Sequence, residues 1–256
     1  MNEVINLVKY VPYMLRNILI ELRYHLKQYI FFLAMNLVVI FLTFMLLNLM
    51  TSLPIDKSTR VFQLSGYVIY FWMTGAIFIS NLILARKGFI LNITNLPLYV
   101  LVMIQIINFF IMFLMSFIML MIIKAANGIH VETSWIGVIY FIVMTCLFLI
   151  PICILISLFI QRSKIIAIAL VILFFTLPII WIPSTIPTTL LNLLKLNPFY
   201  FLVNGFQEAV VLGTAAFYNY PNHLLFILEL VLIYVWTGYL YRIMKDEINM
   251  NKNYKS

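Results

Sequence analysis

Residues 98–123 contain no charged side chain, and comparable apolar runs recur along the whole chain. A hydrocarbon core of about 30 Å takes roughly 20 apolar residues in a helix, and lipid offers no partner to an open backbone group. Continuous apolar runs without strand-like alternation therefore predict membrane-spanning helices. Composition agrees: 65% hydrophobic and 9% charged residues, with a mean hydropathy of +1.10, exclude an ordinary soluble domain. The expected fold is an all-α integral membrane protein with six spans, at 29–50, 61–84, 98–123, 135–160, 165–182 and 224–240.

Charge sets the expected orientation. With the N-terminus in the cytoplasm, the inner segments hold twelve of the 16 basic residues, among them Lys9, Arg16, Arg23, Lys27, Arg86, Lys87, Arg162, Lys164 and Arg242. Lys57, Arg60, Lys124 and Lys195 fall outside. The positive-inside bias thus places both termini, including the tail 241–256, in the cytoplasm. The net charge of +8 reads as topology and headgroup attraction, and no nucleic-acid partner is expected. The first 28 residues have no cleavage-site pattern and are not expected to be a removable signal. Cys146 and Cys153 lie seven apart on one helical face and read as apolar packing, with no metal or disulfide framework.

The segment 11–28, VPYMLRNILIELRYHLKQ, places Val11, Leu15, Ile18, Leu22 and Leu26 at helical spacing, with Arg16, Arg23 and Lys27 on another face. An amphipathic helix in the inner membrane surface follows, either a topogenic anchor or a moving part. The loop 85–97 mixes Arg86 and Lys87 with Phe89, Ile90 and Leu91, then Asn95 and Pro97. Its apolar trio either packs on a partner or dips into the interface.

The connection 183–223 differs from the other loops in length and content. Ser184 or Thr185 can cap a short helix at 187–194; Asn197 followed by Pro198 is a second N-cap with proline at the first helical position, and Gly213 is a C-terminal stop. Phe199, Leu202, Val203, Phe206 and Val210 form one stripe, and Asn204, Gln207 and Glu208 lie mostly on another. About fifteen residues make roughly 22 Å of helix, too short to span. The insert 184–213 is expected to be a re-entrant two-helix hairpin or a flat interfacial pair.

No metalloprotease, nucleophile-elbow or paired-carboxylate pattern is present, so no catalytic residues are expected and the chain is not read as an enzyme. There is no GxxxxGK[ST] among the eight glycines, so any ATP would be bound elsewhere. Glu229 is the one carboxylate inside a span, read either as pairing with a cation such as Lys195 or as part of a substrate path. Tyr67, Tyr70, Phe71 and Trp72 form either a path lining or ordinary packing.

The six spans, the amphipathic start, the basic-apolar loop, and the motifs NLPL (95–98), LPIIWIP (177–183) and LNPFYFLVNGFQEAVV (196–211) together resemble ABC type-2 permeases. Among these the chain is most similar to teichoic acid and O-antigen polysaccharide export permeases. Where many members carry Tyr-Arg in the external helix, this chain has Gln207 and Glu208. The resemblance implies a bacterial plasma-membrane transport subunit acting as a homodimer with two ATPase subunits, which would hold ATP and Mg while this chain holds no cofactor. It implies a gate helix with Val11, Leu15, Arg16, Ile18, Leu22, Arg23 and Lys27. It implies ATPase coupling by Arg86, Lys87, Phe89, Ile90, Leu91, Asn95 and Pro97, and an external hairpin marked by Asn197, Pro198, Phe199, Tyr200, Gln207 and Glu208. The implied substrate is a polyprenyl-linked glycan. Exporters of drugs or bacteriocins share the plan, and an ATP-independent channel or carrier is the reading from another class.

Overall fold

The structure, a computed structural model, describes residues 2–50, 54–94, 97–158 and 163–253, with side chains for 10–46, 56–83, 97–158, 163–214 and 216–243. The helices are α1 (Asn2–Tyr24), α2 (Leu26–Met50), α3 (Pro54–Thr94), α4 (Leu98–Ala126), α5 (Trp135–Leu158), α6 (Ser163–Thr176), α7 (Thr188–Leu194), α8 (Pro198–Val211) and α9 (Tyr220–Asn253). Short 3₁₀ turns at Pro183–Thr185 and Gly213–Phe217 flank the α7–α8 pair. Within α2, α3, α4, α5 and α9 lie five runs long and apolar enough to cross a membrane. The chain is accordingly a helical, multi-pass membrane protein.

The expected fifth span is shorter than its apolar run. Only Ser163–Thr176 is helical, 14 residues or about 21 Å, and the chain then turns through 177–182. Pro178 explains the stop: it offers no N–H and its ring crowds the preceding turn. Two glutamine amides satisfy the carbonyls freed there. Gln207 Nε2 donates to Pro178 O at 2.7 Å, and Gln63 Nε2 donates to Ile180 O at 2.9 Å. Protein groups thus supply the hydrogen bonds that this irregular backbone lacks, as apolar surroundings require.

A second correction concerns 85–97. What reads as a loop is helical through Thr94, because α3 continues without a break for 41 residues, about 60 Å. That is about twice the thickness of a hydrocarbon core. Its apolar run continues in the sequence to Ala85, ahead of Arg86 and Lys87, and the helix goes on past it to Thr94. Pro97, in extended conformation (φ −70°, ψ 143°), then opens α4.

α3 is the central helix, packing on α4, α5, α6 and α8. Glycines allow the close approaches: a Cβ added at Gly75 would collide with the Phe109 ring, and one at Gly205 of α8 with Phe141. Small residues at such crossings let backbones approach and gain dispersion contact, the main attraction available between helices in lipid. Aromatic rings fill the space around them, with Trp72 and Phe113 stacked at 5.0 Å and Phe113 edge-on to Phe206 at 5.7 Å.

Candidate functional site

The α7–α8 pair begins where local sequence chemistry says it should. Asn197 caps α8 by accepting a hydrogen bond from Phe199 N at 3.0 Å, and Pro198 occupies the first turn, where no N–H is needed. Gly213, at φ 65°, supplies the left-handed residue just after the C-cap Leu212. The cap of α7 differs from expectation. Pro187 holds that position with no side-chain hydrogen bond, and Thr185 Oγ1 donates back to Ile182 O instead.

Tertiary bonds decide where α8 lies. Its last carbonyls lack helical partners and are met by the α4–α5 connection: Ser134 N donates to Ala209 O and Thr133 Oγ1 to Val210 O, both at 2.8 Å. Lys124 Nζ in turn donates to Thr133 Oγ1. At the other end Phe199 meets Phe148 edge-on at 4.9 Å. Phe148 lies thirteen residues along α5 from Trp135, so α8 runs beside α5 for about 20 Å. Tyr200, Leu202, Val203, Phe206 and Val210 are buried.

The expected polar face of α8 is divided by this packing. Gln207 is wholly buried, donating through Nε2 to Phe62 O and Pro178 O, and Gly66 leaves the room its amide occupies. Glu208, one residue and about 100° further around the helix, faces a different environment. Its Oε1 accepts from Asn204 Nδ2 at 2.8 Å. Burial pushes the Glu208 carboxyl above the ordinary glutamate value, while the Asn204 bond and the Lys195 charge pull it back. Asn204 and Glu208 line a cavity of about 340 Å³ between α7, α8 and the start of α9, together with Lys195, Tyr200, Asn222 and His223. The His223 ring fixes one wall, with Nδ1 2.9 Å from Tyr140 OH and Nε2 3.2 Å from Ala216 O.

At the opposite end of the bundle, α1 turns at His25 into α2 and lies along α4. Among its described side chains Met14 and Ile18 are buried and Leu22 is half-buried, whereas Val11 and Leu15 are exposed. Ile18 and Leu22 of the expected apolar stripe thus meet protein while Val11 and Leu15 stay exposed, as do Arg16, Arg23 and Lys27. A polar chain fixes the face turned to α4. Gln105 Nε2 of α4 donates to Glu21 Oε1 at 2.5 Å, Tyr29 OH donates to Gln105 Oε1 at 3.5 Å, and Asn108 Nδ2 donates to Tyr29 OH at 3.3 Å. These groups need partners more than leucines need burial in a membrane.

The expected path residues separate. Trp72 is fully buried, with Nε1 donating to Ile106 O at 3.1 Å, and Tyr70 donates to Leu170 O. Both side chains are buried and hydrogen-bonded within the bundle. Phe71 is half-buried and lines an apolar cavity of about 250 Å³ with Phe32, Phe78 and Leu170; Tyr67 is half-buried. Glu229 is half-buried on α9 with no ion pair or hydrogen bond among the described residues, and Lys195 acts on Glu208 instead. Arg86, Lys87, Phe89, Ile90 and Leu91 lie within helix α3, though their side chains fall outside the described residues, as does Asn95 altogether. Lys195, Asn204 and His223 were not singled out as site residues from sequence. The i, i+4 spacing of Asn204 and Glu208 was a visible signal for one pair, but the meeting of His223 with Tyr140 was not. No protein-family model matches the chain, and no curated protein matches it.

Proposed function

We propose that this chain is the membrane subunit of an ATP-driven ABC type-2 exporter carrying a polyprenyl-linked cell-surface glycan outward across a bacterial plasma membrane. Two copies act with two ATPase subunits, which bind ATP and Mg. The observation that carries the reading is the seating of α8, the helix of the LNPFYFLVNGFQEAVV motif. A helix too short to span is packed between α3, α5 and α9 and borders a polar cavity. In the proposed orientation that cavity opens outward, α7–α8 is a re-entrant hairpin at the exit, and both termini are cytoplasmic. The helical extension 84–94 of α3 then reaches the ATPase, with Phe89, Ile90 and Leu91 as its apolar contact. The Glu21–Gln105–Tyr29 chain joins the gate helix to α2 and α4.

The deciding experiment is co-expression with candidate ATPase subunits, followed by affinity purification and ATP turnover. The expected result is a stable complex, with coupling lost in Phe89→Asp; no complex with any ATPase, or unchanged coupling, overturns the proposal. The apolar cavity beside Phe71 favours one second reading, export of a hydrophobic small molecule. Depletion separates the two. Lipid-linked polymer accumulating inside supports glycan export, whereas normal surface polymer with acquired drug sensitivity supports the other.

A further inference from the structure

Of the five apolar windows that of α3 is the most buried, yet one stripe of α3 has no helix over it. Phe71, Thr74, Phe78 and Leu82 recur at three- and four-residue steps and are each half-buried. They floor a groove between α2 and α6, which both pack on α3 and leave this stripe open between them. Two adjoining cavities make up the groove, about 430 Å³ beside Phe31 and Leu82 and about 250 Å³ beside Phe71 and Leu170.

The two ends of the groove differ in charge. Lys27 and Gln28 stand at one lip. Gln63 bonds to Ile180 O and Tyr70 to Leu170 O, so α6 runs antiparallel to α3. Lys164 therefore lies six residues, about 9 Å, beyond Leu170 towards the Lys27 end, one helical step before the groove-lining Ala167. Both lysines are exposed. No carboxylate lines either cavity among the described residues, and Glu21, in a small cavity next to this lip, is bonded by Gln105. The far end, at Phe71 and Leu170, carries no charge.

Length and charge select the occupant. From Leu82 to Phe71 the stripe runs about 16 Å, against about 15 Å for half of a 30 Å hydrocarbon core. One acyl chain of a single leaflet has that reach, whereas a polyprenyl tail is far longer. A second copy related by a two-fold axis would set the same patch against itself, bringing the lysines together without a counter-charge. A phosphodiester anion answers both of them.

We propose that this groove holds one resident phospholipid with an anionic headgroup, its phosphate between Lys27 and Lys164 and one acyl chain running past Phe78 and Thr74 to Phe71. The lipid fills the gap between α2 and α6 and ties α2, whose apolar window is only 22% buried, to the bundle. The assignment goes beyond the export reading and does not depend on it, since this lipid is a fixed component and not cargo.

The test reconstitutes the full chain in nanodiscs of mixed phosphatidylcholine and phosphatidylglycerol and measures the lipids it keeps by native mass spectrometry. Retention of phosphatidylglycerol in preference to phosphatidylcholine is expected, with the preference reduced about fivefold by Lys27→Gln and about as much again by Lys164→Gln. Ala167→Phe, which places a ring in the groove, should abolish the retention, and Lys57→Gln, at the opposite end of α3, should change nothing. Equal retention of the two lipids, a preference indifferent to both lysine variants, or retention untouched by Ala167→Phe overturns the proposal. So does displacement of the phosphatidylglycerol by added polyprenyl phosphate, which would make the groove a cargo path. A disulfide-linked dimer formed by Ala167→Cys would put a second copy there and overturn it equally.

Discussion

α3 and α9 show that hydropathy and burial part company in this protein. The apolar window of α3 has a mean hydropathy of 1.4 and is 61% buried, while that of α9 is more hydrophobic at 1.9 and only 11% buried. In water the order would be reversed. In a bilayer lipid tails solvate leucine as well as a protein core does, so apolar side chains have little reason to face inward. The interior collects what lipid cannot accommodate. α3 buries Gln63, Ser65, Ser80 and Asn81, whereas α9 turns Leu228, Val231, Leu232 and Val235 outward and buries Thr237 against α5. α9 is held by a specific bond. Pro151 has no N–H for the Leu147 carbonyl four residues earlier, and Tyr234 OH donates to that carbonyl at 2.9 Å.

The contrast can be broken most forcefully at the glycines. Gly205→Ala, against the fully buried Phe141 ring, is expected to cost about 3 kcal/mol, read as a lowered unfolding midpoint in detergent; an unchanged midpoint would mean α8 is not wedged there. Gln207→Leu removes both donors that hold Pro178 O and Phe62 O, with an expected loss of about 2 kcal/mol, and hydrogen exchange in 177–182 should rise. Glu208 probes the same helix by pH. Its carboxyl sits above the ordinary value of 4.5 in the folded chain. The stability this group contributes is therefore complete below 4.5 and is lost as pH rises through the raised native value. Thermal unfolding should follow that slope, and Glu208→Gln should flatten it.

On α9 the effects shrink. Tyr234→Phe is expected to cost about 1 kcal/mol, falling to about zero in a Pro151→Ala background, where Leu147 O regains its helical partner. A double-mutant cycle measures this directly, and equal losses in both backgrounds would sink the account. Gly238, where an added Cβ meets nothing within 4 Å among the described residues, should accept alanine with a gain of about 0.5 kcal/mol. A substantial loss there would reveal that a second copy covers this face.

Much of the candidate site could be read locally. Asn197–Pro198 and Gly213 bound α8 as their chemistry requires, because capping depends on neighbours along the chain. The length of α6 was legible in principle from Pro178, yet the apolar run through Ile182 masked it, since hydropathy counts residues and not hydrogen bonds. Which side of α1 meets α4 is not legible from its apolar stripe: Val11 and Leu15 are as content in lipid as in protein, and the bond between Glu21 and Gln105 fixes the face.

The amino-acid sequence by itself determined that this chain is helical, that it belongs in a membrane and where several of its helices begin and end. Those properties follow from backbone satisfaction and apolar length, which are local. The tertiary structure alone decided which side of each helix looks inward, that Gln207 is a buried brace while Glu208 borders a cavity, and that His223 meets Tyr140. These outcomes depend on partners far apart in the chain, and in a solvent as apolar as the core only such polar partnerships and close glycine contacts distinguish inside from outside.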